Sequence, residues 1–299
     1  MYSLENLLRI ILAGISIGSL FGLAGLAYTI VINASQLVNF AQGDFAMFGV
    51  AVCWFCLTVL HLPLWASISL GVAGGGLFGL LTHWAIVKPL VRRGSRPFPI
   101  MLGAMAMGTI AAGSVGAYTH FWYMPINPFF GPNPLRIEGF SVDSQAVLII
   151  VATVVLVIGY WLFLNKTILG TALRAIGFNR EVSTLLGIQT SKMMGLAFLA
   201  SGVIGAVAGI MAAPLSAFTA LDGLILGING FIAAIIGGWG NPYAAVLGGL
   251  TLGLIRSSLT GFFSSTHAEV VTFLVLMIVL TVKPSGLFPG FMSGRKRVK

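Results

Sequence analysis

The chain has 299 residues, 58% of them hydrophobic and only 8% charged, with a formal net charge of +9. A soluble domain carries about 25% charged residues, so this composition excludes one and requires a chain embedded in a membrane. The positive excess does not signal nucleic acid. Thirteen of the sixteen Lys and Arg residues fall in three clusters beside apolar runs, Lys88 to Arg96, Lys166 to Lys192 and Lys283 to Lys299, which is the positive-inside pattern.

Ile11 to Ile32 is the first expected span, about 22 residues and long enough for the hydrocarbon core. Gly14, Gly18 and Gly22 give it one shallow face suited to close helix packing. The opening MYSLENLLRI lacks a basic region followed by a small-residue cleavage site, so the first span is expected to direct insertion itself.

A polar break at Asn33, Ser35 and Gln36 precedes an apolar run to about Leu60, and Asn39, Gln42 and Asp44 mark its start. A helix beginning near Ser35 or Asn39 puts these groups within about one turn of each other, at or just below the cytoplasmic interface. They either cap a helix end or contact a solute in a translocation pathway. Cys53 and Cys56, three residues apart in the same run, read as buried small hydrophobes.

Leu64 to Val87, with Gly71, Gly75 and Gly79, is the third span and ends at Lys88, Arg92, Arg93 and Arg96. Pro99 to Ala117 is the fourth. His120 to Asp143 holds four prolines and several aromatics and is predicted to be a compact external loop. Ala146 to Leu164 returns the chain to the inner side.

The polar interval from Asn165 to Lys192 comes next. Lys166, Arg174, Arg180 and Lys192 against the single acid Glu181 place it in the cytoplasm. Thr167 can cap a helix through Leu173, Ala175 and Ile176; Asn179 can cap a second one carrying Val182, Leu185 and Leu186, ended by Gly187. Such an ordered, partly apolar loop either lies against lipid headgroups or receives force from a soluble partner.

Met193 to Ala213 is the sixth span, with Pro214 as its stop or kink. Ile225 to Ile236 and Tyr243 to Ile255 flank the break GGWGNP, and neither arm reaches the roughly 20 residues of a comfortable span. Residues 225–255 therefore form two short spans or a re-entrant hairpin. Broken backbone at such depth needs protein or a water-filled cavity around it, which makes Gly237, Gly238, Trp239, Gly240 and Asn241 candidate pathway residues. Val270 to Val282 is the last span. The expected architecture is an all-α polytopic membrane protein of about eight transmembrane helices. It forms one permease domain over residues 1–299, with residues 165–192 as a cytoplasmic coupling loop, the N-terminus outside and the C-terminus in the cytoplasm. Glycine-spaced helices at Ile11 to Ile32 and Met193 to Ala213, each followed by a break and another apolar run, form an internal echo of the kind transporters contain.

No segment reads GxxxxGK followed by Ser or Thr, none reads HExxH, and His61, His83, His120 and His267 are scattered. No catalytic residue, metal site or bound cofactor is expected. Energy for active transport must come from another subunit or from an ion gradient. Three classes remain open on these grounds: the membrane subunit of an ATP-driven importer, a secondary transporter or channel for a small polar solute such as urea or an amide, and a membrane scaffold.

Five stretches, in this order and spacing, carry a resemblance to a known family: VNFAQGDFAMFG at Val38 to Gly49, GTALRAIGFNREVSTLLGI at Gly170 to Ile188, ASGVIGAVAGIMAAP at Ala200 to Pro214, FIAAIIGGWGNPYAAVLGGLTLGLI at Phe231 to Ile255, and KPSGLFPG at Lys283 to Gly290. Over essentially its whole length the chain resembles the LivH type of permease from branched-chain amino acid ABC transporters. The resemblance implies a bacterial or archaeal plasma-membrane importer subunit that works by alternating access on branched-chain or related amino acids. It also implies a LivM-like second permease, two cytoplasmic ATPase subunits that use ATP and Mg, and a periplasmic or lipid-anchored solute-binding protein. The ATPase-contacting loop of the family maps onto Gly170, Arg174, Ala175, Asn179, Glu181, Ser183, Leu186 and Gly187. Where relatives commonly read NFAHGE, this chain reads NFAQGD, so Gln42 cannot titrate near neutral pH and Asp44 carries its charge on a shorter arm.

Overall fold

An unpaired backbone amide in lipid costs several kcal/mol, and a helix satisfies each amide within its own segment, so the apolar runs of this chain become helices. The computed structural model describes residues 4–131, 135–137, 140–262 and 265–288. In them lie α1 (Leu4–Ser35), α2 (Gln42–Thr58), α3 (Leu64–Thr82), α4 (Lys88–Arg92), α5 (Pro97–Thr119), α6 (Ser144–Lys166), α7 (Ile168–Phe178), α8 (Arg180–Leu185), α9 (Thr190–Ala212), α10 (Asp222–Gly237), α11 (Pro242–Phe262) and α12 (Ser265–Val282). A π-helical turn, His83–Val87, joins α3 to α4, and a 3-10 turn, Ala213–Leu215, holds Pro214 where the sixth span was expected to stop.

Among the described residues six helices are long and apolar enough to cross a membrane: Asn6–Ser35, Leu64–Arg92, Pro97–Thr119, Ser144–Lys166, Thr190–Leu215 and Pro242–Phe262. The chain is an all-α, polytopic, membrane-spanning protein. Four further apolar helices are shorter, Gln42–Thr58, Ile168–Phe178, Asp222–Gly237 and Val270–Val282. Of about eight expected spans, six reach full length among the described residues.

Residues 225–255 are not two equally short arms. α10 has 16 residues, but α11 has 21 and is long enough to span. The apolar run ends at Ile255, yet the helix continues through Arg256. Its guanidinium lies 5.7 Å from the centre of the Phe21 ring, and Nη1 donates to Asn229 Oδ1 at 3.4 Å. A cation–π contact and a neutral acceptor together let the charge remain in an otherwise apolar bundle. The stretch expected to be an external loop contains a strand pair: Leu135–Ile137 pairs antiparallel with Phe140–Val142, Arg136 opposite Ser141.

The chain divides into two compact units. One comprises Met1–Thr29, Pro128–Val154 and Asn229–Lys299. Its core is a glycine seam between α1 and α11. A Cβ on Gly18 would stand 2.8 Å from the Gly249 carbonyl oxygen, and one on Gly22 would stand 3.0 Å from that of Val246, so the expected shallow face of the first span is in use. The second unit comprises Ile30–Asn127 and Val155–Ile228. There α2, α3 and α9 pack backbone to backbone. A Cβ on Gly71 would meet the Gly49 carbonyl oxygen at 2.7 Å, and Gly75 and Gly49 both receive the Ala206 methyl. Fully buried Phe45 fills the remaining space, edge-on to Phe78 at 5.5 Å and tilted against Phe198 at 6.4 Å.

Candidate translocation site and coupling loop

The residues that open α2 sit deeper than their sequence position suggests. Gln42 is 1% exposed; its Nε2 donates to the Ser201 carbonyl oxygen at 3.2 Å, and the Ser201 hydroxyl donates back to Gln42 Oε1. Ser201 stands midway along α9. Two residues on, half-buried Asp44 presents its carboxylate to Gly108, where any Cβ on α5 would overlap Oδ2. Gly108 is the midpoint of Pro97–Thr119, a helix about 34 Å long at 1.5 Å per residue. Two span-length helices thus meet the first turn of α2 near their midpoints, roughly 17 Å from either of their ends. Close approach of glycines makes this depth possible. Gly43 lies on Gly223 and Gly227 of α10, leaving no room for a Cβ, and Gly223 in turn lies on Met47, so the two helices cross antiparallel.

The polar groups here are not equivalent. Asn39 is 2% exposed; its Oδ1 accepts from the Ala41 amide at 3.3 Å, while its Nδ2 has no partner among the described residues. Gln42 is fully committed to Ser201. No cation and no donor meets the Asp44 carboxylate among the described residues, and it does not cap its own helix. Ser201, Gly108 and the Gly43–Gly223 crossing complete the site. One serine in a glycine-rich span and one of the four glycines of Pro97–Thr119 gave no sequence signal for them.

The break after α10 is a tight turn. Gly238 and Gly240 have φ of 142° and 78°, a left-handed backbone that any side chain would strain. The Asn241 amide donates to the Gly238 carbonyl at 3.1 Å, and Asn241 Oδ1 caps α11 by accepting from the Tyr243 and Ala244 amides, each at 3.2 Å. Half-exposed Trp239 stands edge-on to Phe231 at 5.8 Å. The segment after α12 completes the end of α10: the Leu287 amide donates to the Ile236 carbonyl at 2.7 Å and the Phe288 amide to that of Gly237 at 2.9 Å. Gly237, Gly238, Gly240 and Asn241 therefore shape the turn, and Trp239 is its accessible side chain.

Both short helices of the polar interval form with the expected caps. Thr167 Oγ1 accepts from the Gly170 amide at 2.9 Å, Asn179 Oδ1 accepts from the Glu181 and Val182 amides at 3.0 and 3.1 Å, and Gly187 ends α8 at φ 84°. Gly170 packs on the Phe163 carbonyl, and buried Leu173, Ile176 and Ser183 hold the elbow in place. Arg174 donates to Asn165 Oδ1 at 2.9 Å. The outer side is apolar: Ile168 is 89% exposed, Leu185 86%, Leu186 75% and Phe178 67%. Ile168 and Phe178 were not singled out from the sequence, although both stand at an end of α7 where an amphipathic reading could have found them. Among the described residues no group of three or more His, Cys, Asp or Glu could hold a metal ion.

Residues 10–281 match the family model described as branched-chain amino acid transport system, permease component. The chain is 27% identical over 302 residues to the permease protein BraD of a high-affinity branched-chain amino acid transport system from Pseudomonas aeruginosa, covering 96% of this chain and 97% of BraD. It is 25% identical over 285 residues to the permease protein LivH of the corresponding system from Escherichia coli K12, covering 92% of each. Among solved structures, PsaBC from Streptococcus pneumoniae in complex with Fab is similar in fold, with a TM-score of 0.52 at 12% identity over 95% of this chain and 94% of that one.

Proposed function

This chain belongs to the family of branched-chain amino acid transport system permease components, and we propose that it moves branched-chain or related amino acids inward by alternating access, driven by partner ATPases. It is a non-catalytic membrane permease subunit of an importer. The observation that carries the drive is the α7–α8 elbow. Two capped helices expose Ile168, Phe178, Leu185 and Leu186 beside Arg174, Arg180 and Lys166, a surface whose apolar area is too large and too ordered for a simple connection. Two cytoplasmic ATPase subunits, using ATP and Mg, close on this elbow; Gly170, Arg174, Ala175, Asn179, Glu181, Ser183, Leu186 and Gly187 build and orient it. A LivM-like second permease and a periplasmic or lipid-anchored binding protein complete the importer.

The candidate pathway residues in this reading are Asn39, Gln42 and Asp44 at the opening of α2 and, taken by itself, the Gly237–Asn241 turn with its Trp239. The N-terminus is outside and the C-terminus cytoplasmic, because the three basic clusters share one side. The short helices α2, α10 and α12 raise the crossings from six full-length spans to about nine, an odd number that separates the termini. An apolar amino acid needs an apolar route plus a few groups that replace water at its charged end.

Reconstitution tests this. With ATPases, second permease and binding protein in proteoliposomes, ATP-dependent uptake is expected, and Leu185→Asp is expected to cut ATPase association at least tenfold while the permease keeps its thermal midpoint. Uptake by the purified chain alone, or unchanged association in the variant, would overturn the reading.

A further inference from the structure

At the opening of α2 the carboxylate of Asp44 makes no hydrogen bond or ion pair among the described residues. Gln42 exchanges two hydrogen bonds with Ser201, and Asn39 Oδ1 turns back onto its own chain. Asp44 meets neither a donor nor a cation among the described residues. It is not forced outward by crowding, because α5 carries glycine where Asp44 abuts it and nothing larger than a hydrogen fits. The place that the carboxylate occupies is thus left by the glycine of a second helix.

Depth decides what such a group can do. A carboxylate near the middle of two span-length helices is costly to place, and intramembrane carboxylates either find a cation or line a cavity. Asp44 is only half-buried, so a solute can reach it. Three residues before α2, Asn39 carries an unpartnered Nδ2 in a site where it is 2% exposed. A buried amide donor without a partner costs about 1–3 kcal/mol and marks a place where a hydrogen-bond acceptor arrives from elsewhere. An acid lacking a cation and an amide lacking an acceptor stand within two turns of chain. A solute that bears an ammonium beside a carboxylate offers both missing partners.

We propose that Asp44 binds the ammonium group of the transported solute at mid-membrane, with Asn39 donating to its carboxylate, which makes the site selective for α-amino acids over amine-free acids and amides. This rests on the importer reading above and adds to it a residue that sets specificity inside the permease, downstream of any binding protein. The bulky part of the solute takes no part in this recognition, so one site serves apolar amino acids of different side chain.

The test uses the complete reconstituted importer. Wild type, Asp44→Asn and Asp44→Glu are compared for uptake of L-leucine and for ATP hydrolysis. The expected result is at least a tenfold loss of uptake in Asp44→Asn, with the subunits still co-purifying, and at least half of wild-type uptake in Asp44→Glu. Leucine uptake in Asp44→Asn within twofold of wild type would overturn the assignment and leave the importer reading intact. Failure of the wild type to import any α-amino acid would instead overturn the importer reading. A second measurement avoids the variants. Carbodiimide modification of Asp44 in the wild-type assembly, followed by peptide mass spectrometry, is expected to slow at least threefold with leucine and not with 4-methylpentanoate, which keeps the side chain and the carboxylate but lacks the amine. Equal protection by both compounds, or by neither, would overturn the proposal.

Discussion

Two helices of this protein begin alike and are finished differently. α2 and α10 are both short, apolar and led by an aspartate in the first turn, Asp44 and Asp222. Asp222 Oδ2 accepts from both the Thr219 amide and the Thr219 hydroxyl, at 2.6 and 2.7 Å, so its charge serves its own helix end. Asp44 has Ala41 at the capping position and no such use. One aspartate is architecture; the other meets no donor and no cation among the described residues. Both are aspartates of a first helical turn, Asp222 the first residue of α10 and Asp44 the third of α2, and the neighbour three residues earlier, Thr219 against Ala41, differs.

The crossing shared by the two helices gives the largest expected effect. Gly43→Val would drive a branched side chain into the Gly223 backbone, where neither partner can move aside, and is expected to abolish assembled protein in detergent; Gly113→Val, which meets nothing within 4 Å, is the matched control. Normal yield of Gly43→Val by size exclusion would mean that the crossing is looser than described. Next comes the Gln42–Ser201 pair. Gln42→Ala leaves the buried serine hydroxyl without its partner and is expected to cost roughly 2 kcal/mol, whereas the double Ala variant costs less than the sum of the singles. Additive thermal shifts would sever that link.

The two aspartates should then separate by phenotype. Asp44→Asn is expected to lower uptake at least tenfold with little change in thermal midpoint. Asp222→Ala is expected to do the reverse, lowering stability by about 1 kcal/mol through the lost cap while uptake stays within twofold. If Asp222→Ala abolished uptake at unchanged stability, the contrast between the two helices would collapse.

Much of this was legible in the chain. The caps at Thr167 and Asn179 lie within three residues of what they bond, so local sequence determines them. The glycine faces of α1 and α9 follow from a period of about four in a helix. What local pattern could not supply was depth. Gln42 and Asp44 follow a polar break, the usual sign of an interface, and only the pairing with Ser201, 159 residues away, and the fit against Gly108 show that the chain turns back into the bundle before α2 starts. The helix α11 likewise runs past the end of its apolar run at Ile255, because Phe21 and Asn229 receive the charge of Arg256. In both places a distant part of the chain supplies the partner.

The segment after α12 bears on how the protein is made. Leu287 and Phe288 supply the amides that occupy the last carbonyls of α10, groups that a helix end otherwise leaves open. About fifty residues separate them, so at roughly 5–20 residues per second those carbonyls stand open for some seconds of synthesis, until Leu287 and Phe288 have been made. Chains cut short before Leu287 would insert their helices but leave that bundle half-closed, a state that membrane quality-control proteases are built to find.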